Sequence, residues 1–296
     1  MADIAGQAEI RGIDIDKLST GFAEEAIVLK SFCNVSNTSA REIRHYTKTA
    51  GILDSTDTTG VTTSRVANSS SKAIPVIINQ SWTRNTSYVR KYMVESELIS
   101  NEDIKDSDPD VWGDTIRDLT RSVQNQVDVR ILAVLGDTLG TGGNVNTAAA
   151  TADGWNDVAT GDPIADINTG IEQIRANSYD IGNLVMYMNQ AEEKHLKNYL
   201  ISVKGSSIPE FSSDQVTKTK LMSILGVRVL VSANMSTDTV IMFIPNFSCK
   251  WKQFEPLRSA VIDLPLIGKK IRIAEEGEAI LVHPKSVHVI TDTIVG

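Results

Sequence analysis

Two cysteines in 296 residues are too few for a disulfide framework. Cys33 and Cys249 also lie far apart in the chain and make no metal-spaced pair, so a reducing compartment is the default expectation. No apolar run reaches the ~18–20 residues that a membrane-crossing helix needs. The first thirty residues lack the basic-then-apolar order of a secretory signal. Basic residues are outnumbered 29 to 37, for a net charge of -8. That balance argues against a dedicated DNA- or membrane-binding surface, although it leaves room for a local basic patch.

Catalytic and metal signatures are missing too. Four histidines are present, His45, His195, His283 and His288, with no HExxH or other metal spacing. His283 and His288 are five apart in a strand region and so face opposite sides. Asp106, Asp108, Asp110 and Asp114 resemble the start of a calcium loop, but Val111 stands where glycine is required and Arg117 where glutamate is required. There is no G-x-S-x-G elbow, and neither cysteine has a plausible base nearby. Glu275, Glu276 and Glu278 read as a solvated turn before "AILV" rather than an acid–base pair. "GDTLGTGGNVNTAAATADG" follows a helix instead of a strand, which makes it a linker and not a phosphate cradle. No catalytic, cofactor-binding or metal-binding residue is assigned, and no cofactor is expected.

What the chain does have is two oversized elements. With 41% hydrophobic residues it can bury a sizeable core. In "DPDVWGDTIRDLTRSVQNQVDVRILAVLGD", Asp108 caps a helix and Pro109 takes its first position. Trp112, Ile116, Leu119, Val123, Val127, Ile131, Val134 and Leu135 then recur in steps of threes and fours, and Gly136 and Gly140 supply the stop. A helix over about 108–137 would be roughly 40 Å long, against an average of ~11–12 residues.

The second element is a strand. Residues 54–72 are almost all small and polar and cannot fold alone. In "AIPVIINQSWTRNTSYVRKYMVE" the even positions are Ile74, Val76, Ile78, Gln80, Trp82, Arg84, Thr86, Tyr88, Arg90, Tyr92 and Val94, most of them apolar or aromatic, and the odd ones are mostly polar. This period of two keeps its phase through Asn85, which favours one unbroken strand over a hairpin at Arg84-Asn85. About 20 residues would span roughly 66 Å, more than the ~50 Å diameter of a compact body of this length. The outer part would then need cover from another copy of the chain, because an exposed aromatic edge is an aggregation hazard.

Shorter elements fill the rest. "GDPIADINTGIEQIRAN" repeats the cap logic with Asp162 and Pro163, and Ile164, Ile167, Ile171 and Ile174 share a face. "NLVMYM" is a short buried strand, and "NQAEEKHLKNYL" a helix with Asn189 as cap and Glu192 completing a capping box. "GVRVLVS" and "TVIMFI" are strands joined by a polar turn, and "IRIAEEGEAILVHPKSVHVIT" gives three strands. The reading along the whole chain is α+β.

The order of these elements is similar to a known family. "YVRKYMVESELISNEDIKDSDPDVWGDTIRDLTRSVQNQVDVRILAVLGD" resembles the stretch of tailed-phage major capsid proteins of the Hong-Kong-97 type in which an extended loop returns as a strand. There it passes an acidic connector, here Ser96, Glu97, Leu98 and Ile99 followed by Glu102, Asp103 and Asp106, and enters a long spine helix. The resemblance continues at "LGVRVLVSANM", "DTVIMFIPN" and "GEAILVHPKSVHVITD". It implies an N-terminal arm over 1–50, an extended loop over 51–99, an axial domain over 141–246 and a discontinuous peripheral domain over 100–140 and 247–296. It implies no enzyme but a shell subunit that assembles with itself into hexameric and pentameric capsomers around a double-stranded DNA genome. Portal, scaffold and decoration proteins are further partners, DNA meets the inner face without sequence-specific binding, and no membrane is involved. The expected place is the virion, with assembly in the host cytoplasm. Interface candidates are Lys72 at the polar tip and Trp82, Arg84, Tyr88, Arg90 and Lys91 on the arm, whose basic residues would meet acidic residues of a neighbour. A cleaved helical scaffold extension of the kind some members carry is not evident, and Met1 argues against a cleaved form. Two alternatives stay open: an encapsulin-like nanocompartment shell, and an α/β enzyme with an unfamiliar site.

Overall fold

The computed structural model describes residues 29–50, 81–106, 111–136, 145–151, 153–177, 179–204 and 223–294. In chain order the strands are β1 (Asn34–Asn37), β2 (Glu42–Ala50), β3 (Ser81–Tyr88), β4 (Arg90–Glu95), β5 (Ile99–Ser100), β6 (Asn146–Ala149), β7 (Val185–Met188), β8 (Ser223–Ile224), β9 (Val227–Val231), β10 (Thr239–Phe243), β11 (Cys249–Leu264), β12 (Gly268–Leu281) and β13 (Val287–Thr291). The helices are α1 (Asn101–Asp106), α2 (Val111–Leu135), α3 (Pro163–Ala176) and α4 (Gln190–Tyr199). The chain divides into a small unit, Ala40–Tyr88, and a large one made of the remainder.

The large unit contains two sheets. One runs β1-β11-β12-β4, with β5 also on β12. The other runs β6-β13-β10-β7-β9-β8. The second is buried on both faces, and its strands alternate accordingly. Val185, Tyr187, Ile241 and Phe243 point into one core. Met186, Met188, Val240 and Met242 point into another, beneath Ile167 and Ile174 of α3 and Leu196 of α4. Asp162 caps α3 by accepting from the Ala165 amide at 3.2 Å, with Pro163 in the first position, as the sequence implies. Asn189 likewise caps α4, accepting from Ala191 at 3.1 Å. Glu192 does not close a capping box. Its carboxylate accepts from the Asp238 amide at 2.6 Å, which holds the turn before β10. β9 and β10, consecutive in sequence, are not neighbours, because β7 lies between them.

Helix α2 explains its own length. Its first half, through Ile116 and Val123, packs on Ile271 and Ile273 of β12. Its second half, through Val127, Ile131, Leu132 and Leu135, enters the core shared with β7, β10 and the ends of β11 and β12. At ~1.5 Å per residue, 25 residues span about 37 Å, enough to serve both cores. The apolar face matches the periodicity of the sequence, and Asp108 and Pro109 fall outside the described residues.

Two sequence expectations change in the large unit. The three strands expected over residues 271–291 are two, β12 and β13, separated by a short 3-10 turn over Pro284–Ser286. β13 belongs to the six-stranded sheet, between β6 and β10. The acidic run is no solvated turn either: Glu275, Glu276 and Glu278 lie inside β12 and are 1%, 3% and 1% exposed. The strand continues through them because each carboxylate meets a cation of its own chain.

The described residues of the small unit form a two-stranded antiparallel ribbon of β2 and β3. Asn85 pairs with His45 in the middle of the ladder, so the alternative hairpin at Arg84-Asn85 does not form. Asn85 is not among the residues with positive φ, which a tight hairpin turn would need. Among the described residues the expected unbroken arm is interrupted at Val89, where the partner changes from β2 to β12. Residues 42–50, read as part of an N-terminal arm, supply the partner strand that the sequence left unassigned. Ile74, Val76, Ile78 and Lys72 lie outside the described residues.

Candidate assembly surface

Directly opposed residues of an antiparallel pair share a face. The register Glu42↔Tyr88, Arg44↔Thr86 and Tyr46↔Arg84 therefore sets Glu42, Arg44, Tyr46, Trp82, Arg84, Thr86 and Tyr88 on one side of the ribbon. All seven are exposed, and three of them are aromatic: Tyr46 at 62%, Trp82 at 57% and Tyr88 at 65%. On the other side Ile43 is buried, His45, Asn85 and Ser87 are half-buried, and Thr83 is exposed. A polar sequence would normally put its aromatics on the covered face, so the ribbon is patterned in reverse for a single chain. A two-stranded ribbon is also marginal by itself. Its charges are exposed: Arg44 Nε donates to Glu42 at 2.6 Å, and that guanidinium holds the Glu42 carboxyl below its ordinary range. Such a pair orients more than it stabilises.

Arg90 and Lys91, expected to reach acidic residues of a neighbour, have partners within the chain. Arg90 Nε lies 3.3 Å from Glu278 Oε2, and Lys91 Nζ 3.4 Å from Glu276 Oε1. Glu278 is held from the other side by Arg130 of α2, whose Nε donates at 2.7 Å and whose terminal nitrogen lies at 2.5 Å. Glu275 accepts from Lys30, whose ammonium also sits 5.8 Å from the Trp251 ring centroid. Burial pushes the Glu278 carboxyl above its usual range, and Arg130 and Arg90 oppose that shift. This row of carboxylates ties β4, β12, α2 and the segment before β1 together. It is an internal fastening, and sequence reasoning missed it because three acids in four residues look solvated. Ser96, in the acidic connector, is structural as well: its hydroxyl accepts from the Ile271 amide at 2.9 Å, and its own amide donates to the Ile271 carbonyl at 2.8 Å.

A second apolar feature stands at the turn between β11 and β12. Leu266 is 99% exposed and holds φ of 67°, a conformation that costs a leucine energy, and Ile267 beside it is 59% exposed. No signal in the sequence marked this tip. Among the described residues no group of three or more histidine, cysteine or acidic side chains is arranged to hold a metal ion. Among them, too, no helix is long and apolar enough to cross a membrane.

Of the six interface candidates, Trp82, Arg84 and Tyr88 fall together on the exposed face, Arg90 and Lys91 belong to the ion row, and Lys72 is outside the described residues. Tyr46 was missed; its strand carries a single aromatic, too little to mark a period of two.

Comparison with known proteins gives the family and the fold. A family described as phage capsid protein matches residues 85–259, more than half of the chain. No curated protein matches the sequence. Among solved structures, a virus-like particle from Pyrococcus furiosus is similar at 9% identity, covering 93% of this chain and 97% of that one with a TM-score of 0.60. The capsid of the cyanophage P-SCSP1u is similar at 10% identity, over 90% and 88% of the two chains, TM-score 0.63. The mature capsid of bacteriophage PhiM1 is similar at 11% identity, over 90% and 86%, TM-score 0.63. Identities this low carry the fold.

Proposed function

Because this chain belongs to the phage capsid protein family and has the Hong-Kong-97-type α+β fold, we propose that it is the repeating subunit of an icosahedral head around double-stranded DNA, built by laying the aromatic face of each β2–β3 ribbon on a neighbouring copy. Its role as a structural shell protein of the virion follows from the family. The observation that supports the mode of assembly is the outward display of Tyr46, Trp82 and Tyr88 beside Arg84. Aromatic and arginine side chains are the ones that anchor interfaces. The exposed Leu266–Ile267 tip is a second contact point in this reading.

Each contact is small. Closed symmetry multiplies it, so a shell is stable where a dimer is not. Hexameric and pentameric capsomers are the expected groupings. The five-stranded sheet with α2 would form the peripheral part, and the six-stranded sheet, now including β13, the axial part. A net charge of -8 suits a wall that confines DNA without gripping it. Portal, scaffold and decoration proteins would meet the same shell, assembled in the host cytoplasm. The family is one of structural proteins, and the chain is read as a shell subunit and not an enzyme. Electron microscopy of the purified full chain tests this: closed particles of uniform size are expected, and a stable monomer at high concentration would reject it. Nucleic acid inside particles isolated from infected cells separates a viral head from an encapsulin-like compartment.

A further inference from the structure

The two cysteines, remote in sequence, meet in space. β1 pairs in parallel with β11 in the register Asn34↔Lys250, so the positions just before these residues are Cys33 and Cys249. Cys33 is already extended, at φ -98° and ψ 146°, and just before it the Phe32 carbonyl accepts from the Asn246 amide at 2.7 Å, which holds the two segments together at this end of the ladder. The two thiols contact each other, and they are 3% and 1% exposed within one core. Both are free in this structure. Adjacent strands lie about 4.8 Å apart, inside the ~4.4–6.8 Å Cα window of an unstrained disulfide. With only two cysteines in the chain, such a meeting is not required by packing, since any small apolar pair would fill the space.

We propose that Cys33 and Cys249 are an oxidation site, a pair of thiols that converts to an internal disulfide and fastens β1 to the edge of the five-stranded sheet. The oxidant is a small-molecule disulfide. One cysteine thiolate attacks it, forming a mixed disulfide and releasing one small thiolate. The second cysteine thiolate then attacks the protein sulfur of the mixed disulfide and releases the other. Both protein sulfurs are oxidised, the small disulfide is reduced to two thiols, and the two cysteine protons pass to those products. The contact with Cys249, and then burial, push the Cys33 thiol well above its ordinary value. The reduced pair is therefore inert while β1 is docked, and the first attack takes place during brief parting of β1 from β11. Once closed, the bond prevents that parting. In a reducing cytoplasm the pair stays open; in a shell released outside the cell it closes.

The test uses the purified full chain, incubated folded with oxidised glutathione, quenched with an alkylating reagent and analysed by mass spectrometry and non-reducing electrophoresis. The expected product is a monomer lighter by two hydrogen atoms, with a Cys33–Cys249 linked peptide, faster migration reversed by reductant, and a midpoint of thermal unfolding raised by roughly 5–10 °C. C249A should show none of these changes. Two alkylatable thiols after prolonged oxidation, glutathione retained as the end product on either cysteine, or links only between separate chains would overturn the proposal. So would a bond that forms and leaves the midpoint unchanged. The wild-type measurements decide the matter even if C249A folds poorly.

Discussion

The β4–β12 pair and the β2–β3 ribbon are both antiparallel and both charged, yet they dispose of their side chains in opposite ways. On β12 three carboxylates are buried, and each has a cation from its own chain. On the ribbon three aromatic rings face outward and the charges are solvated. The first region completes itself, and the second is proposed to be completed by another copy of the chain. Buried ionic groups contribute little net stability compared with apolar ones, but removing one partner is costly. Exposed aromatics contribute little to folding and a great deal to association. Substitutions in the two regions should therefore separate stability from assembly.

The largest effect on folding is expected at Glu278. Replacing it with alanine strands Arg130, whose side chain is 15% exposed, and should cost about 3–5 kcal/mol in urea unfolding. A cost below ~1 kcal/mol would erase the distinction between the regions. Next comes acid. His288 is wholly buried, neither ring nitrogen has a hydrogen-bond partner, and burial holds the imidazole at about 4 against ~6.5 in an unfolded chain. A neutral folded imidazole gives stability that is present above pH ~6.5 and lost as pH falls to about 4, by roughly 3 kcal/mol. The slope of stability against pH in that window should flatten in His288→Leu, measured by thermal unfolding. A smaller loss, about 1 kcal/mol, is expected for Asp162→Ala, which removes the cap on α3. The ribbon lies at the bottom of this scale: in the unassembled subunit, Trp82→Ala with Tyr88→Ala should change the free energy of urea unfolding by less than ~1 kcal/mol.

How far the sequence announced these features follows from how many neighbours each residue must satisfy. Helix α2 was legible because eight apolar positions in threes and fours need no tertiary information. The caps at Asp162 and Asn189 were legible because they act within three residues. β11 was not. It contains Pro256, which opposes a strand reading, and the chain accommodates it where the pairing shifts between Gln253, Glu255 and Arg258. Glu192 fits a capping box by spacing, yet a turn 46 residues away claims its carboxylate. The acidic run of β12 was misread for the same reason, since Lys30, Lys91 and Arg130 come from three distant segments. The exposed face of the ribbon was half legible: Trp82, Arg84 and Tyr88 share a phase in the sequence, whereas Tyr46 joins them only through a register that no local signal gives.

The aromatic side of the β2–β3 ribbon is proposed to lie on another copy of the chain. The most direct measurement is sedimentation velocity of the wild-type chain and the Trp82→Ala, Tyr88→Ala variant side by side, under conditions where both are folded. The expected result is closed particles from the wild type and only small, slowly sedimenting species from the variant, with circular dichroism spectra that show both proteins folded. Shells of the same size and yield from both proteins would contradict it.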